Sequence, residues 1–387
     1  MMKNKLILLA YSFYFLLSFA GTAKAQGLLS EHAFASLVTC GAGAEVETFF
    51  GHTAIRVCDT AQGIDYVYNY GTYDFDQPHF YWTFTRGDLN YCLSRTSYWA
   101  FLQCYIFEQR PVFEQRLNLT NQERDNLFVL LETNYQPEYR YYRYDFFRDN
   151  CATRPRDILE SALGHRSLQY SDPTSPTTYR DVLYASTEEH LWWRLAFDIV
   201  LGIPTDHRCD GRELMFAPGL LFEQIQDETD DDGEPLVVSC RQLLPAYPEA
   251  DSWHASPLVA AWCLLLVVLA LTLLGLRFGW TLRWLDIIFY GAGFLIALLL
   301  LFLWLGTNHY YTNWNLNLLW ASPLWIYFLI RGKKSRRWVI LLQLALLVLA
   351  LLTALVGWPQ QLNSAVIPIT LLYFIRLIAL TQQIQRK

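Results

Sequence analysis

The feature that most limits what this chain can become is its last third. Residues 257–380 are almost free of charge except at short polar breaks. They divide into about five apolar runs, 257–276, 287–305, 316–330, 338–356 and 365–380; the first, second and fourth approach the ~20 residues that cross a bilayer, and the third and fifth are shorter. A bilayer core leaves backbone amides no water to bond, so such runs are expected to close their own hydrogen bonds as helices. Positive charge sorts the connections. Arg277 and Arg283 follow the first run, Arg331, Lys333, Lys334, Arg336 and Arg337 the third, and Arg386 and Lys387 the fifth, whereas residues 306–315 and 357–364 carry no Lys or Arg. The positive-inside tendency then predicts that everything before residue 257 lies outside the cytoplasm and that the C-terminus lies inside. Arg376, near the inner end of the fifth run, can snorkel.

The N-terminus agrees with that placement. Lys3 and Lys5 precede an apolar stretch, residues 6–20, and Ala23-Lys24-Ala25 forms a small-x-small cleavage site. This is a secretory signal, predicting a mature start at Gln26. The chain thus divides into a signal peptide (1–25), an extracytoplasmic domain (26–255) and a membrane domain (256–387). A formal charge of −6 argues against a nucleic-acid partner, which favours a basic surface.

The outer domain reads as α+β, strands first and helices later. Thr53, Ile55 and Val57 alternate with Ala54 and Arg56, and Tyr66, Tyr68 and Tyr70 share one face of a second run; residues 59–63 between them suit a hairpin. Thr120 and Glu123 have capping-box spacing ahead of a helix running to about residue 134. Residues 139–147 have weak strand character. In Asp149-Asn150-Cys151-Ala152-Thr153-Arg154-Pro155, the polar residues can cap a helix whose first turn tolerates Pro155. Cys151 is therefore expected at or just before a helix N-terminus. The acidic run 227–233 resembles a calcium loop but has Ser239 where a bidentate Glu is needed, so it reads as a solvated loop.

Of the eight cysteines, Cys263 falls within the first apolar run, where it suits packing. The others are in an oxidising compartment, and local pairing suggests Cys40–Cys58, Cys92–Cys104 and Cys209–Cys240, with Cys151 left free. No C-x-x-C pair supports a zinc ribbon or a thioredoxin-type site.

A free thiol becomes a nucleophile when a helix N-terminus and a nearby imidazole favour its thiolate. Candidate bases are His32, His52, His79, His165, His190, His207 and His254. His52 stands out because it follows Gly51 and opens a strand, a setting where another backbone or a substrate can come close. Taken alone, a Cys such as Cys151 is more often a small buried apolar residue, and a His such as His52 near a strand start is more often an ordinary hydrogen-bonded group.

Phe50-Gly51-His52-Thr53-Ala54 and Asp149-Asn150-Cys151-Ala152-Thr153-Arg154 together resemble a circularly permuted papain-like thiol fold of the NlpC type, in which the His precedes the Cys. The whole chain resembles the Lnb-type lipoprotein N-acyltransferase family, which joins such a periplasmic domain to several membrane helices. The resemblance implies Cys151 as nucleophile and His52 as base. It implies a third polar group holding the imidazole, for which Asp65 matches the general placement and Asn69 competes. Asn150 and Arg154 either shape the pocket, or contact a phosphate, or only cap the helix. His309, Asn315 and Asn317, in the second outer loop, either bind headgroups, or face the thiol domain, or form a plain interfacial loop with Tyr310, Tyr311 and Trp314.

The implied reaction is a two-step acyl transfer in a bacterial inner membrane. The donor is a membrane phospholipid, the acceptor is the α-amine of a diacylglyceryl-Cys lipoprotein, and no metal or cofactor is needed. The same Cys–His pair would also serve an envelope cysteine hydrolase acting on peptidoglycan or a peptide. A non-catalytic sensor or scaffold is the remaining alternative.

Overall fold

The computed structural model describes residues 28–385 apart from 167, 169, 175, 230–232 and 247–254. The expected signal peptide and its cleavage site, His254 and the centre of the acidic loop lie outside the described residues.

In chain order the elements of the first part are β1 (Phe34–Cys40), β2 (His52–Asp59), β3 (Ile64–Thr72), α1 (Phe80–Arg86), β4 (Asn90–Ser97), α2 (Tyr98–Phe107), β5 (Val112–Leu117), α3 (Asn121–Tyr135), β6 (Tyr141–Arg143), α4 (Thr153–Leu163), α5 (Tyr179–Ser186), α6 (Leu191–Val200), α7 (Pro218–Asp227) and β7 (Val237–Leu244). The strands make one seven-stranded antiparallel sheet in the order β6-β4-β3-β2-β1-β5-β7. The expected hairpin joins β2 to β3, with Gly63 at φ +69° in its turn. On one sheet face Leu37, Ile55, Val57, Tyr68 and Tyr70 pack with Leu127 and Leu131 of α3 and Leu159 of α4. On the other, Val38, Ala54 and Val67 are covered by Phe101 and Tyr105 of α2. β2 is thus a central strand buried on both faces, which is why it reads as a nearly continuous apolar run. The capping box starts α3: Thr120 Oγ1 accepts from Glu123 N at 3.3 Å, and Thr120 N donates to Glu123 Oε2 at 2.8 Å.

The second part contains α8 (Pro257–Phe278), α9 (Arg283–Gly306), α10 (Trp325–Arg331), α11 (Arg337–Val356) and α12 (Val366–Gln385). By length and composition α8, α9 and α11 are candidate membrane spans, with 22, 24 and 20 residues; the apolar part of α12, Val366–Gln382, is shorter. The expected run 316–330 is not a continuous helix. Two short 3-10 turns, Tyr310–Thr312 and Leu316–Leu319, lead through Pro323 into the seven-residue α10. Asn315 Oδ1 accepts from Asn317 N at 2.9 Å and Pro323 supplies no amide, so the helical ladder cannot start earlier. Irregular backbone is tolerable there because Asn317, Trp320, Ala321, Ser322 and Trp325 are buried in protein. The segment nevertheless runs the length of the bundle. It begins beside the sheet domain, where Asn317 Nδ2 donates to Asp198 O at 2.8 Å, and ends where Arg283 Nη2 donates to Leu329 O at 3.1 Å. Arg376 does not snorkel: it is buried and pairs with Asp286, Nη2 to Oδ1, at 2.7 Å.

The expected disulfides are not formed, and all eight cysteines are free. For Cys40 and Cys58 the register gives the reason. Cys40 pairs with His52 and Cys58 with Phe34, at opposite ends of the β1–β2 ladder. Their Cα atoms are roughly 20 Å apart, far beyond the ~7 Å that a disulfide spans. Cys104 is exposed and its thiol turns to Ala100 O at 3.4 Å, while Cys92 is buried in the sheet. Cys209 is buried with its thiol toward His207 O, while Cys240 is exposed on β7.

Candidate functional site

Gly51 sets the site's first boundary. Its φ is +77°, and a β-carbon there would lie 2.5 Å from the carbonyl oxygen of Cys40, so only glycine lets the chain turn against β1 and enter β2 at His52. His52 then stands opposite Cys40 at one end of the sheet. Its Nε2 is 3.4 Å from Asn69 Oδ1, on neighbouring β3. With Nε2 donating to that amide oxygen, Nδ1 is left as the acceptor.

Cys151 reaches the same sheet end from the start of α4. Asn150 holds that start. Its Oδ1 accepts from Ala152 N and Thr153 N at 2.8 and 2.9 Å, and its Nδ2 donates to Phe146 O and Phe216 O at 2.7 and 2.8 Å. The Cys151 thiol lies against the backbone N–H of Thr53, the residue after His52, and against its own N–H. A β-carbon on Gly71, whose φ is +86°, would lie 3.5 Å from Cys151 Cβ. That is ordinary packing distance, so what favours glycine at this position is the positive φ rather than the space. Cys151 thus meets the strand start next to His52 across about a hundred residues of chain, an approach made by the sheet rather than by any local motif.

The electrostatics are those of a shielded, neutral pair. Burial pushes the Cys151 thiol up to about 11, against the opposing pull of the Thr53 and Cys151 N–H groups and the Arg110 cation. Burial, followed by the Arg110 charge, lowers His52 to about 4, while the Asn69 hydrogen bond acts in the other direction. Burial thus outweighs the helix start that favours a thiolate, and both the thiol and the imidazole are neutral at neutral pH.

Arg110 is the residue that sequence reasoning missed. It is buried just before β5, its Nε donating to Gly41 O at 2.9 Å and its Nη1 to Glu108 Oε2 at 2.7 Å. Its Nη2 is buried without a hydrogen-bond partner among the described residues. No motif marks it; the β1–β5 pairing, with Cys40 opposite Val112, carries it to the site.

Asp65 does not hold the imidazole. It pairs in register with Cys58, at the far end of β2 and roughly 20 Å from His52. Its carboxylate is engaged by Arg56 at 2.7 and 2.9 Å. Asn150, buried and fully hydrogen-bonded, caps α4 and has no free group for a ligand. Arg154 is bound bidentately by Asp149 and lies 4.0 Å from the centre of the Tyr142 ring, so its charge is already used. Asn315 and Asn317 are buried and tie their loop to α6, donating to Ile199 O and Asp198 O at 2.8 Å each. They join the two parts of the chain and face no open space. His309 does face one. Its Nε2 is 3.1 Å from Thr85 O, and its ring covers Gly87 and lines a cavity.

That cavity, of about 780 Å³, lies between the site end of the sheet and the loop after α9. Phe50, Tyr91, Tyr144, Arg148, His309 and Tyr311 line it, and most of its wall is apolar. Cys151 and His52 are not on that wall. Tyr144 stands between, stacked on Tyr91 at 4.2 Å, with its ring edge 3.7 Å from where a Gly71 β-carbon would be. Arg148 brings an exposed cation, 5.2 and 5.7 Å from the centres of the Tyr310 and Tyr311 rings. Among the described residues no group of three or more His, Cys, Asp or Glu is arranged to hold a metal ion.

No curated protein and no solved structure matches the chain. Residues 27–185 match the family model of the Lnb N-terminal periplasmic domain, and residues 249–387 match that of the Lnb transmembrane domain. With both models matched in order over most of its length, the chain belongs to the Lnb family, a periplasmic domain followed by a transmembrane one.

Proposed function

We propose that the protein is a lipoprotein N-acyltransferase, using Cys151 to carry a fatty acyl group from a membrane phospholipid to the α-amine of a diacylglyceryl-Cys lipoprotein. The observation that carries this reading is the juxtaposition of the Cys151 thiol with the start of β2 at His52, beside a largely apolar cavity at the end of the domain next to the membrane helices. The chain order, His on a strand and then Cys at a helix start packed on the same sheet, supports reading the domain as a permuted papain-like fold of the NlpC type. The residues 331–337, rich in Lys and Arg, sit at the bundle end away from the sheet, in keeping with a multi-pass protein of the bacterial inner membrane whose large domain is periplasmic.

In the first half-reaction Cys151 Sγ attacks the ester carbonyl carbon while His52 takes the thiol proton. The N–H groups of Cys151 and Thr53 are the nearest donors to the developing oxyanion. Collapse breaks the acyl C–O bond; the lysophospholipid alcohol leaves with the proton returned by His52, and an acyl thioester remains. In the second half-reaction the lipoprotein α-amine attacks the thioester, His52 relays its proton to the departing sulfur, and the N-acylated lipoprotein is released. Asn69 keeps the imidazole in the tautomer that both steps require. A dry cavity favours the amine over water as acceptor.

The test is intact mass spectrometry of a lipoprotein N-terminal peptide from a bacterium depleted of its own N-acyltransferase. Wild type is expected to add one fatty-acyl mass and Cys151→Ala none. A stably expressed wild-type protein that adds nothing would redirect the reading to an envelope cysteine hydrolase.

A further inference from the structure

α1 belongs to the sheet domain, yet its surface is that of a membrane-interface helix. Tyr81 is 81% exposed, Trp82 57% and Phe84 47%, with Phe75, just upstream, at 69%. No charge interrupts the helix before Arg86. Its two threonines keep their hydroxyls inside the helix, Thr83 Oγ1 donating to Phe80 O at 3.0 Å and Thr85 Oγ1 to Tyr81 O at 2.7 Å. A seven-residue helix with satisfied polar groups and several large aromatic side chains facing outward is costly in water and well suited to the headgroup boundary of a bilayer.

Its position supplies the second, independent argument. The C-terminal end of α1 is joined directly to the loop that follows the candidate span α9. Asn308 N donates to Arg86 O at 2.7 Å, Asn308 Nδ2 donates to Asp88 Oδ1 at 2.7 Å, and His309 packs against Gly87. α9 ends at Gly306, so α1 sits at the level where that span leaves the membrane. The start of α8 is marked in the same way: Trp192 Nε1 donates to Ala255 O at 2.9 Å, and Trp192 and Trp193 are exposed beside it.

We infer that α1 lies in the outer leaflet of the bilayer that α8, α9 and α11 cross, with Tyr81, Trp82 and Phe84 among the lipid. Phe84 is both exposed and on the cavity wall, so the cavity beside Cys151 opens sideways to the leaflet, and an amphiphilic ligand enters it without passing through water. This rests on the aromatic surface and its link to α9, and it stands or falls apart from the acyl-transfer chemistry.

The experiment uses full-length Cys151→Ala protein, which cannot turn over, in phosphatidylcholine–phosphatidylglycerol vesicles. The photo-crosslinker p-benzoylphenylalanine replaces Trp82 or Tyr81, and adducts are read by intact mass after irradiation. Leu298, exposed on α9, is the positive control; Trp99, exposed at the opposite end of the sheet, is the negative one. The expected result is a one-phospholipid adduct from positions 82, 81 and 298 and none from 99. Labelling at 298 without 82 or 81 overturns the inference. So does equal labelling at 99 and 82, or a cross-link from 82 to a second protein chain in place of lipid.

Discussion

The imidazole of His52 faces Asn69, Nε2 to Oδ1 at 3.4 Å, and has no carboxylate partner among the described residues. The amide can orient the ring but cannot stabilise an imidazolium as a carboxylate does, which fits a base whose neutral form is favoured. Asn69→Ala is expected to lower lipoprotein acylation at least about tenfold while the protein remains folded, since the orienting hydrogen bond is lost. Asp65→Asn, at the far end of the hairpin, should leave turnover within about twofold, and loss of its part-exposed pair with Arg56 should cost below about 1 kcal/mol. Initial rates on a diacylated lipoprotein peptide, beside thermal melts, separate the two. A large activity loss in Asp65→Asn at unchanged stability would return the orienting role to Asp65.

The buried pair makes stability fall away on both sides of neutrality. His52 has its folded-state pKa lowered from 6.5 to about 4, so between those values the unfolded chain binds the extra proton. Its contribution is complete above pH 6.5 and is lost as pH falls toward 4. Cys151 is raised from 9.0 to about 11, so its contribution is complete below pH 9 and is lost as pH rises toward 11. Melting temperatures of detergent-solubilised protein should therefore show the acid loss reduced in His52→Gln and the alkaline loss reduced in Cys151→Ala. Identical curves for all three proteins would mean that neither group is desolvated as described.

Arg110 acts on both members of the pair without a motif to announce it. Arg110→Met removes the charge while keeping most of the apolar stem, and its partner Glu108 is exposed enough to be left alone. The expected result is a His52 that titrates nearer its ordinary value, so the acid limb of the acylation rate moves to higher pH. Cys151 should also react more slowly with iodoacetamide at a fixed pH, because the thiolate loses its nearby cation. Arg110→Lys should restore part of both effects. An unchanged pH profile in Arg110→Met would reduce Arg110 to a packing residue.

How far the sequence carried these conclusions depended on range. The β2–β3 hairpin, the Thr120 capping box and the long apolar helices follow from periods and spacings within one element, where local physics decides. The choice between Asp65 and Asn69 was a matter of register. Both lie on one face of β3, but a turn at residues 59–63 pairs Cys58 with Asp65 and so sends Asp65 away from His52; the signal was present in the hairpin itself. Arg110 was illegible because only the non-local β1–β5 pairing delivers it. The broken crossing at 316–330 hid because summed hydropathy counts apolar residues and ignores whether Asn317 and Pro323 allow a ladder of helical bonds. The cysteine pairs failed because closeness in sequence says little about position in a sheet.

The two parts of the chain are locked by Arg180. It is fully buried; Nη1 donates to Asp198 at 2.7 Å and Nε to Asp206 at 2.9 Å. Asp198 also accepts from Asn363, and Asp206 from the backbone N–H of Gln361, both in the loop between α11 and α12. The arginine thus organises α6 so that the membrane loops can dock on it, and that docking shapes the cavity wall at Tyr311. Arg180→Met leaves Asp198 buried without its cation, a change that typically costs about 3–5 kcal/mol. The expected outcome is a markedly lower melting temperature and loss of acylation, although Cys151 and His52 are untouched. Arg180→Met with Asp198→Asn removes the two charges of that pair, leaving only Asp206 without its cation, and should recover part of the stability; if it recovers none, the bonds from Arg180 to Asp206 and to the Gly202 carbonyl, rather than the pair with Asp198, hold the junction.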